Sequence, residues 1–181
     1  MKKIPTIFNR DRNNMSLVED ECNNDCLWVF AGEGVATRKY DGTCCLIKDG
    51  RLFKRREIKA GKVSPIDFVE EGFDPSTGKR VGWVHADKTN KDDKWHFEAF
   101  DGGTFDDGTY ELCGPKVQGN PERFPSHTLL KHSEAIEYGN CPRSRLGLIE
   151  FLQDKDIEGI VFHHPDGRMG KIKKRDFGLS R

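Results

Sequence analysis

Short apolar runs separated by polar and turn-forming residues dominate the chain, and this pattern predicts strands more often than helices. The runs are CLWVFAG (26–32), TCCLI (43–47), RLFKR (51–55), VGWVHA (81–86), KWHFEAF (94–100), TYELCG (109–114) and EGIVFHH (158–164). One longer segment, RSRLGLIEFLQDK (143–155), follows Pro142, a residue favoured in the first turn of a helix, and is the best candidate helix. Many antiparallel hairpins with few helices predict an α+β fold.

The dipeptide Asp49-Gly50 predicts a tight hairpin between TCCLI and RLFKR, because it favours a two-residue type I′ turn. Lys48 then pairs with Arg51, and the same register sets Arg55 opposite Cys44 and Arg56 opposite Thr43. Neighbouring strand residues point to opposite faces, so only one of these two arginines can share a pocket with nearby Lys39. The alternative is that both arginines are solvated charges on a sheet edge.

Composition narrows the class of protein. The chain has 181 residues, which suits one domain spanning residues 1–181, and only 35% of them are hydrophobic. No run approaches the roughly 20 apolar residues of a membrane span, and the first residues lack the apolar core of a secretory signal. We therefore expect a cytoplasmic protein. Lys plus Arg and Asp plus Glu number 30 each, which argues against indiscriminate coating of nucleic acid, although the tail KIKKRDFGLSR is basic.

Six cysteines in a cytoplasmic chain are expected to be thiols and not disulfides. Cys22 and Cys26 form one CxxxC pair, whereas a structural zinc site usually needs two tight ligand pairs. A zinc-dependent nucleic-acid binder is thus an alternative of low weight, and the adjacent Cys44 and Cys45 are expected to be small core residues.

Five residues along the chain suggest a common chemistry. Lys39 lies in KYDG, Glu111 in YELCG, Glu158 before the apolar GIVF, and Lys171 and Lys173 in GKIKK. Each has an ordinary interpretation, as part of a turn, a loop or a polar strand face. Together they suit phosphoryl chemistry on a nucleotide, since neighbouring cations favour a neutral, nucleophilic lysine and stabilise a phosphate under attack.

The carboxylates extend this interpretation. Glu158 and Asp41 are candidate ligands for Mg²⁺, which bridges phosphate oxygens, and Glu111 is a candidate acceptor for ribose hydroxyls. All of these assignments rest on residue type and order along the chain.

The motifs also resemble those of a known superfamily, the covalent nucleotidyltransferases, which include ATP-dependent ligases and mRNA capping enzymes. The resemblance is closest to the animal-type ATP-dependent 5′–3′ RNA ligases. It rests on KYDGTCC (39–45), GWVHADKTNKDDKWH (82–96), ELCGPKVQGNPE (111–122) and IEGIVFHHPDGRMGKIKKRDFGL (157–179). These passages occur in the same order and span most of the chain.

The resemblance implies an ATP-grasp-like nucleotidyltransferase domain of mixed and antiparallel sheets with flanking helices. The chain ends soon after Lys173, so it implies a single minimal adenylyltransferase domain over residues 1–181 without an OB-fold. It further implies ATP and Mg²⁺ as cofactors, with Mn²⁺ as a substitute ion, and a lysyl-AMP intermediate.

The resemblance assigns roles to individual residues. The catalytic residues would be Lys39, Lys171 and Lys173. The nucleotide-binding residues would be Thr37, Arg55, Glu111, Glu158, Lys171 and Lys173, and the metal ligands would be Asp41 and Glu158.

The implied substrate is RNA with 5′-phosphate and 3′-hydroxyl ends, in a role in RNA repair. The basic tail from Lys171 to Arg181 is the expected RNA contact. Two alternatives stay open beside the zinc-dependent binder: a DNA ligase or another nucleotidyltransferase with a lysyl-NMP intermediate, and a non-catalytic module that binds RNA ends.

Overall fold

The computed structural model describes residues 2–75 and 77–181. The chain divides into two compact units. The first unit consists of Asp41–Glu134 together with the residues up to Lys3, and the second of Ile4–Tyr40 and Ala135–Arg181. One catalytic domain over residues 1–181 stays a prediction.

The described residues form strands and a few short helices. The strands are β1 (Phe8–Arg10), β2 (Val18–Cys22), β3 (Val35–Lys39), β4 (Thr43–Lys48), β5 (Arg51–Ile58), β6 (Val69–Asp74), β7 (Lys79–His85), β8 (Gly108–Cys113), β9 (Thr128–Lys131), β10 (Gly159–His163) and β11 (Met169–Lys173). The α-helices are α1 (Leu27–Phe30), α2 (Lys94–Phe100) and α3 (Arg145–Gln153). Strand pairs within the sheets are antiparallel, and no sheet of the described residues closes into a barrel. The predicted α+β class is confirmed.

The first unit is a six-stranded sheet in the order β6-β7-β5-β4-β8-β9. One face packs on α2 through a core that includes Cys45, Ile47, Leu52, Tyr110 and Leu112. Because strand residues alternate between faces, the intervening residues of β4, β5 and β8 lie on the opposite face. We call this second surface the outer face of the six-stranded sheet.

The predicted hairpin between β4 and β5 is confirmed. Lys48 lies opposite Arg51, and the register continues to the pair Cys45–Lys54. Asp49 and Gly50 have φ angles of 51° and 67°, as a type I′ turn requires at both central positions. Local turn chemistry was therefore sufficient to fix this register.

Two of the predicted strands are helices. CLWVFAG forms α1, which follows a helical turn capped by the side chain of Asn23, and KWHFEAF forms α2. In α2 the aromatic residues Phe97 and Phe100 are three positions apart, so both reach the core of the first unit from one helix face. The runs were too short for periodicity alone to distinguish the two structures.

The second unit has two small sheets, β1-β2 and β11-β10-β3. The predicted helix is confirmed as α3, whose N-cap Ser144 accepts a hydrogen bond from the backbone N–H of Gly147. Its buried Leu148 and Leu152 pack in one core with Ile160 and Phe162 of β10. Among the described residues, no helix combines the length and the apolar character needed to span a bilayer.

Candidate active site

The three-stranded sheet of the second unit carries four predicted site residues on one face. In its central strand β10, Gly159 lies opposite both Lys39 of β3 and Lys173 of β11. Two positions along, Val161 lies opposite both Thr37 and Lys171. Residues two apart on a strand share a face, so Thr37, Lys39, Lys171 and Lys173 project from the same side.

Close packing of the backbone sets this arrangement. Gly159 has no side chain, and a Cβ atom there would lie 2.1 Å from the carbonyl oxygen of Ile172. On the reverse face of the sheet, Ile160, Phe162 and Ile172 are fully buried in the core. The apolar alternation of β10 and β11 therefore directs the lysines of β11 away from the core.

Glu158, directly before β10, bridges two of these lysines. Its Oε2 accepts a hydrogen bond from Lys39 Nζ at 2.5 Å, and its Oε1 accepts one from Lys173 Nζ. The Glu158 side chain is 11% exposed. Burial acts to raise the pKa of Glu158, but the charges of Lys39 and Lys173 outweigh it and hold the pKa below its ordinary value of 4.5. Glu158 is thus a carboxylate that binds two ammonium groups.

Lys171 on this face has a pKa well below the ordinary value of a lysine. Burial, and then the positive charges of Lys173 and Lys39, lower the pKa of Lys171 from 10.5 to about 8. The three lysines against one carboxylate leave a surplus of positive charge on this face. Such a surface suits a polyphosphate anion.

Thr37 is buried on the same face and contacts His163 of β10. Its Oγ1 lies 3.3 Å from the carbonyl oxygen of Val161, to which it donates, and 3.0 Å from His163 Nε2. The sequence interpretation missed His163 as a neighbour of a site residue. The antiparallel register of β3 and β10, which a single sequence does not reveal, brings the two side chains together.

The other predicted site residues, Asp41, Arg55 and Glu111, belong to the first unit. The Asp41 N–H donates to Glu122 Oε1 at 3.0 Å, and the Gly42 N–H donates to Glu111 Oε1 at 3.1 Å. A Cβ atom on Gly42 would lie 2.2 Å from the carbonyl oxygen of Leu112, so only glycine fits against β8 here. The backbone N–H groups of Asp41 and Gly42 are therefore both held by carboxylates of the first unit.

Glu111 lies on the outer face of the six-stranded sheet and is only 8% exposed. It is opposite Cys44 in the ladder between β8 and β4. Its Oε2 lies 2.9 Å from His132 Nε2, and His132 Nδ1 lies 3.0 Å from Thr109 Oγ1. The sequence offered no motif for His132, which follows β9 as an isolated histidine.

Arg55 of β5 lies opposite Trp83 of β7 and is half-buried, whereas Arg56 is exposed. One step beyond the pair Cys45–Lys54, the hairpin register sets Arg55 beside Cys44 on the outer face. Of the two arginines, Arg55 is therefore the one that shares a face with Glu111.

The basic tail and the CxxxC pair, which the sequence suggested as an RNA contact and as zinc ligands, each contain a residue that is buried in the structure. Lys174 in the basic tail is buried and donates to the carbonyl oxygens of Gln153 and Lys155, so it does not contribute to an RNA-binding surface. Cys26 of the CxxxC pair is fully buried in the core, and burial raises the pKa of its thiol to about 11. A protonated core thiol is a poor metal ligand, which weakens the zinc-binding alternative built on Cys22 and Cys26.

Asp41 and Glu158 are the predicted ligands of Mg²⁺, and the contacts of Glu158 decide whether its carboxylate can bind the ion. Both carboxylate oxygens of Glu158 already contact ammonium groups, so in this arrangement it does not suit a divalent cation. The metal role of Asp41 and Glu158 stays a prediction about the protein with ATP bound.

This chain is similar to several proteins named RNA ligase 1. RNA ligase 1 of Danio rerio is 30% identical, and the match covers 98% of this chain and 81% of that protein. RNA ligase 1 of Pongo abelii and that of Rattus norvegicus are each 26% identical, with 80% of this chain and 67% of those proteins covered. No family model matches the chain.

Proposed function

Because this chain belongs to the RNA ligase 1 family, we propose that it is an ATP-dependent RNA ligase that joins 5′-phosphate and 3′-hydroxyl ends. The observation that carries the proposal is the face of the β11-β10-β3 sheet on which Lys39, Lys171 and Lys173 surround Glu158. A nucleophilic lysine can attack a phosphate, and further cations beside it stabilise the charge on the phosphate oxygens.

The proposed reaction has three steps. Neutral Lys39 Nζ attacks the α-phosphorus of Mg·ATP, an N–P bond forms, and pyrophosphate leaves with the electrons of the broken P–O bond. The 5′-phosphate of the RNA then attacks the same phosphorus, which releases Lys39 and gives an RNA with a 5′–5′ pyrophosphate link to AMP. Finally the 3′-hydroxyl attacks the RNA phosphate, and AMP leaves.

Glu158 would control the state of the nucleophile before ATP arrives. Its contact with Lys39 stabilises the ammonium form, which cannot attack, so Lys39 must leave this pair and lose its proton. The negative triphosphate would compete with Glu158 for Lys171 and Lys173, which are the cations best placed to bind its oxygens. In this account Glu158 offsets part of the positive charge of the lysines until the triphosphate replaces it.

The remaining assignments follow the resemblance and are part of the proposal. Thr37 would contact the nucleotide, Glu111 would accept hydrogen bonds from the ribose, and Arg55 would bind a phosphate. Mg²⁺, carried by ATP, would neutralise charge on the phosphate oxygens; Asp41 is a candidate ligand, and Glu158 becomes one only after its oxygens have released Lys39 and Lys173.

The decisive test is covalent labelling with α-labelled ATP and Mg²⁺. We expect acid-labile, base-stable label on the wild-type chain and none on Lys39→Ala, since no other group replaces a covalent nucleophile. Lys48→Ala, at an exposed position at the end of β4, is the matched control and should label as wild type does. Label that persists in Lys39→Ala would assign the nucleophile elsewhere.

A second assay separates ligation of RNA from the alternatives. Single-stranded and nicked substrates with 5′-phosphates, made of RNA or of DNA, are incubated with the labelled protein. Joining of RNA is expected. Joining of DNA alone would make the protein a DNA ligase, and RNA binding without any adduct from ATP or GTP would make it a non-catalytic module.

A further inference from the structure

Three potential metal ligands of different chemistry meet on the outer face of the six-stranded sheet. Cys44 of β4 and Glu111 of β8 are directly opposite each other, and His132 follows the end of β9. The thiol sulfur, a carboxylate oxygen and an imidazole nitrogen all lie within 4.8 Å of one another. All three residues belong to the first unit, so one compact part of the chain holds them.

The protein already fixes the orientation of two of the three groups. Glu111 Oε1 accepts the Gly42 N–H, which directs Oε2 toward His132. His132 Nδ1 contacts the hydroxyl of Thr109, which leaves Nε2 facing Glu111. Hydrogen bonds to the far side of a histidine and of a carboxylate are the usual outer partners of metal ligands, because they hold the donor atoms toward the ion.

Ligand type and spacing select the ion. Zn²⁺ is bound by cysteine, histidine and carboxylate at about 2.0–2.3 Å, which sets the donor atoms of a tetrahedral site roughly 3–4 Å apart. Glu111 Oε2 and His132 Nε2, 2.9 Å apart, must separate slightly, and the Cys44 sulfur, within 4.8 Å of the other ligand atoms, must move slightly closer to them. A thiolate and a carboxylate together cancel the charge of the ion, so the occupied cluster carries no net charge.

We propose that Cys44, Glu111 and His132 form a Zn²⁺ site with three protein ligands and a fourth, open position. Binding replaces the proton that Nε2 of His132 shares with Glu111 and removes the proton of the Cys44 thiol. The bound form needs the neutral tautomer of His132 with its single ring proton on Nδ1, which donates to Thr109, so a ring proton that stood on Nε2 moves to Nδ1 or is released to solvent. The site differs from the CxxxC hypothesis in every ligand.

The consequence for catalysis rests on the proposed function. If Glu111 accepts hydrogen bonds from the ribose of ATP, a bound Zn²⁺ withdraws that carboxylate from the nucleotide. We therefore expect Zn²⁺ to inhibit formation of the lysyl-AMP adduct and Cys44→Ser to reduce this inhibition. Zinc would then act on the ligase as a reversible inhibitor.

Metal binding is tested on the full chain without ATP, so its outcome does not depend on ligase activity. The protein, reduced with a phosphine and freed of chelator, is titrated with Zn²⁺ in competition with a chromogenic chelator. We expect one Zn²⁺ per chain, and at least a tenfold loss of affinity in Cys44→Ser and in His132→Gln. The matched controls Cys22→Ser and His85→Gln, which lie outside the cluster, should bind as wild type does.

Cobalt gives a direct view of the sulfur ligand. Co²⁺ bound to the wild type should show a thiolate-to-metal charge-transfer band that is missing in Cys44→Ser and retained in Cys22→Ser. Circular dichroism of each variant checks that it is folded, and His132→Gln provides an independent ligand change. Absence of stoichiometric zinc binding, or equal affinity in wild type, Cys44→Ser and His132→Gln, overturns the site.

Discussion

Glu158 is one carboxylate shared by two ammonium groups, and its environment makes the folded protein sensitive to pH. Its pKa is held below 4.5 by Lys39 and Lys173 in spite of burial. A carboxyl whose pKa falls on folding stabilises the fold above its ordinary pKa, and this contribution is lost as the pH falls through the lower, folded value. The contribution is therefore present at neutral pH.

We expect Glu158→Gln to lower the free energy of unfolding by about 1–3 kcal/mol at pH 7, because the half-buried ammonium groups of Lys39 and Lys173 lose the negative charge between them. The difference from wild type should shrink as the pH falls below 4.5, and urea unfolding at several pH values measures it. Glu57→Gln breaks only an exposed pair with Lys79 and should cost about 0.5 kcal/mol or less. A loss for Glu158→Gln that does not vary with pH would contradict this account.

Lys171 should show the opposite behaviour, since its pKa of about 8 lies below the ordinary 10.5. A lysine with a depressed pKa costs stability while it is charged in the fold, and the cost is relieved as the pH rises from 8 to 10.5. We expect Lys171→Met to be more stable than wild type by about 1–3 kcal/mol at pH 7, with the gain vanishing near pH 10.5. Thermal or urea unfolding across this range measures it, with exposed Lys48→Met as control. A less stable Lys171→Met at pH 7 would refute the assignment.

At the scale of single elements, β10 is the strand on which the lysine cluster depends. It pairs with both β3 and β11, and at Gly159 the backbone of β11 fills the position that a Cβ atom would take. Any side chain at Gly159 must push β11 away from β10. Lys39 and Lys173 could then no longer both donate hydrogen bonds to Glu158.

We therefore expect Gly159→Ala to destabilise the protein by about 2 kcal/mol or more and to reduce labelling by ATP at least tenfold. Gly139→Ala is the matched control, because that glycine has open space around its Cβ position and no positive φ. It should unfold within about 0.5 kcal/mol of wild type. Equal behaviour of the two variants in unfolding and labelling assays would show that the close approach at Gly159 is unimportant.

The elements also show what a sequence can predict. The hairpin at Asp49-Gly50 was predicted with its register because the turn chemistry is local. The run KWHFEAF was wrongly predicted as a strand, because its aromatic residues fit either structure until packing of Phe97 and Phe100 on the core selects the helix.

The candidate site was predictable only in part for a related reason. The motifs identified Lys39, Glu158, Lys171 and Lys173, and the fold brings these four together in the second unit. Lys39 and Glu158 are 119 residues apart, so their contact follows from strand pairing and not from spacing along the chain. His132 lies outside every quoted motif and His163 lies within one that assigns it no role, so only their contacts in the structure connect them with the site residues.

At the scale of the whole molecule, the two units divide the predicted motif residues between them. The first unit is formed almost entirely by one continuous segment, whereas the second is formed by two segments on either side of it. The first unit holds Asp41, Arg55 and Glu111, and the second holds Thr37 and the lysine cluster. Each group of side chains is therefore stabilised by a separate core.

The position of β3 in its sheet has a consequence for biosynthesis. On one edge β3 pairs with β10, and on the other it exchanges backbone hydrogen bonds with residues 136–138. Both neighbours are translated long after β3 itself. During synthesis β3, with Lys39, can therefore complete its pairing only after the segment that supplies Glu158 and Lys173 has been translated. Lys39, the proposed nucleophile, is therefore synthesised well before its neighbours, and a nascent chain has this lysine before it has the cluster around Glu158.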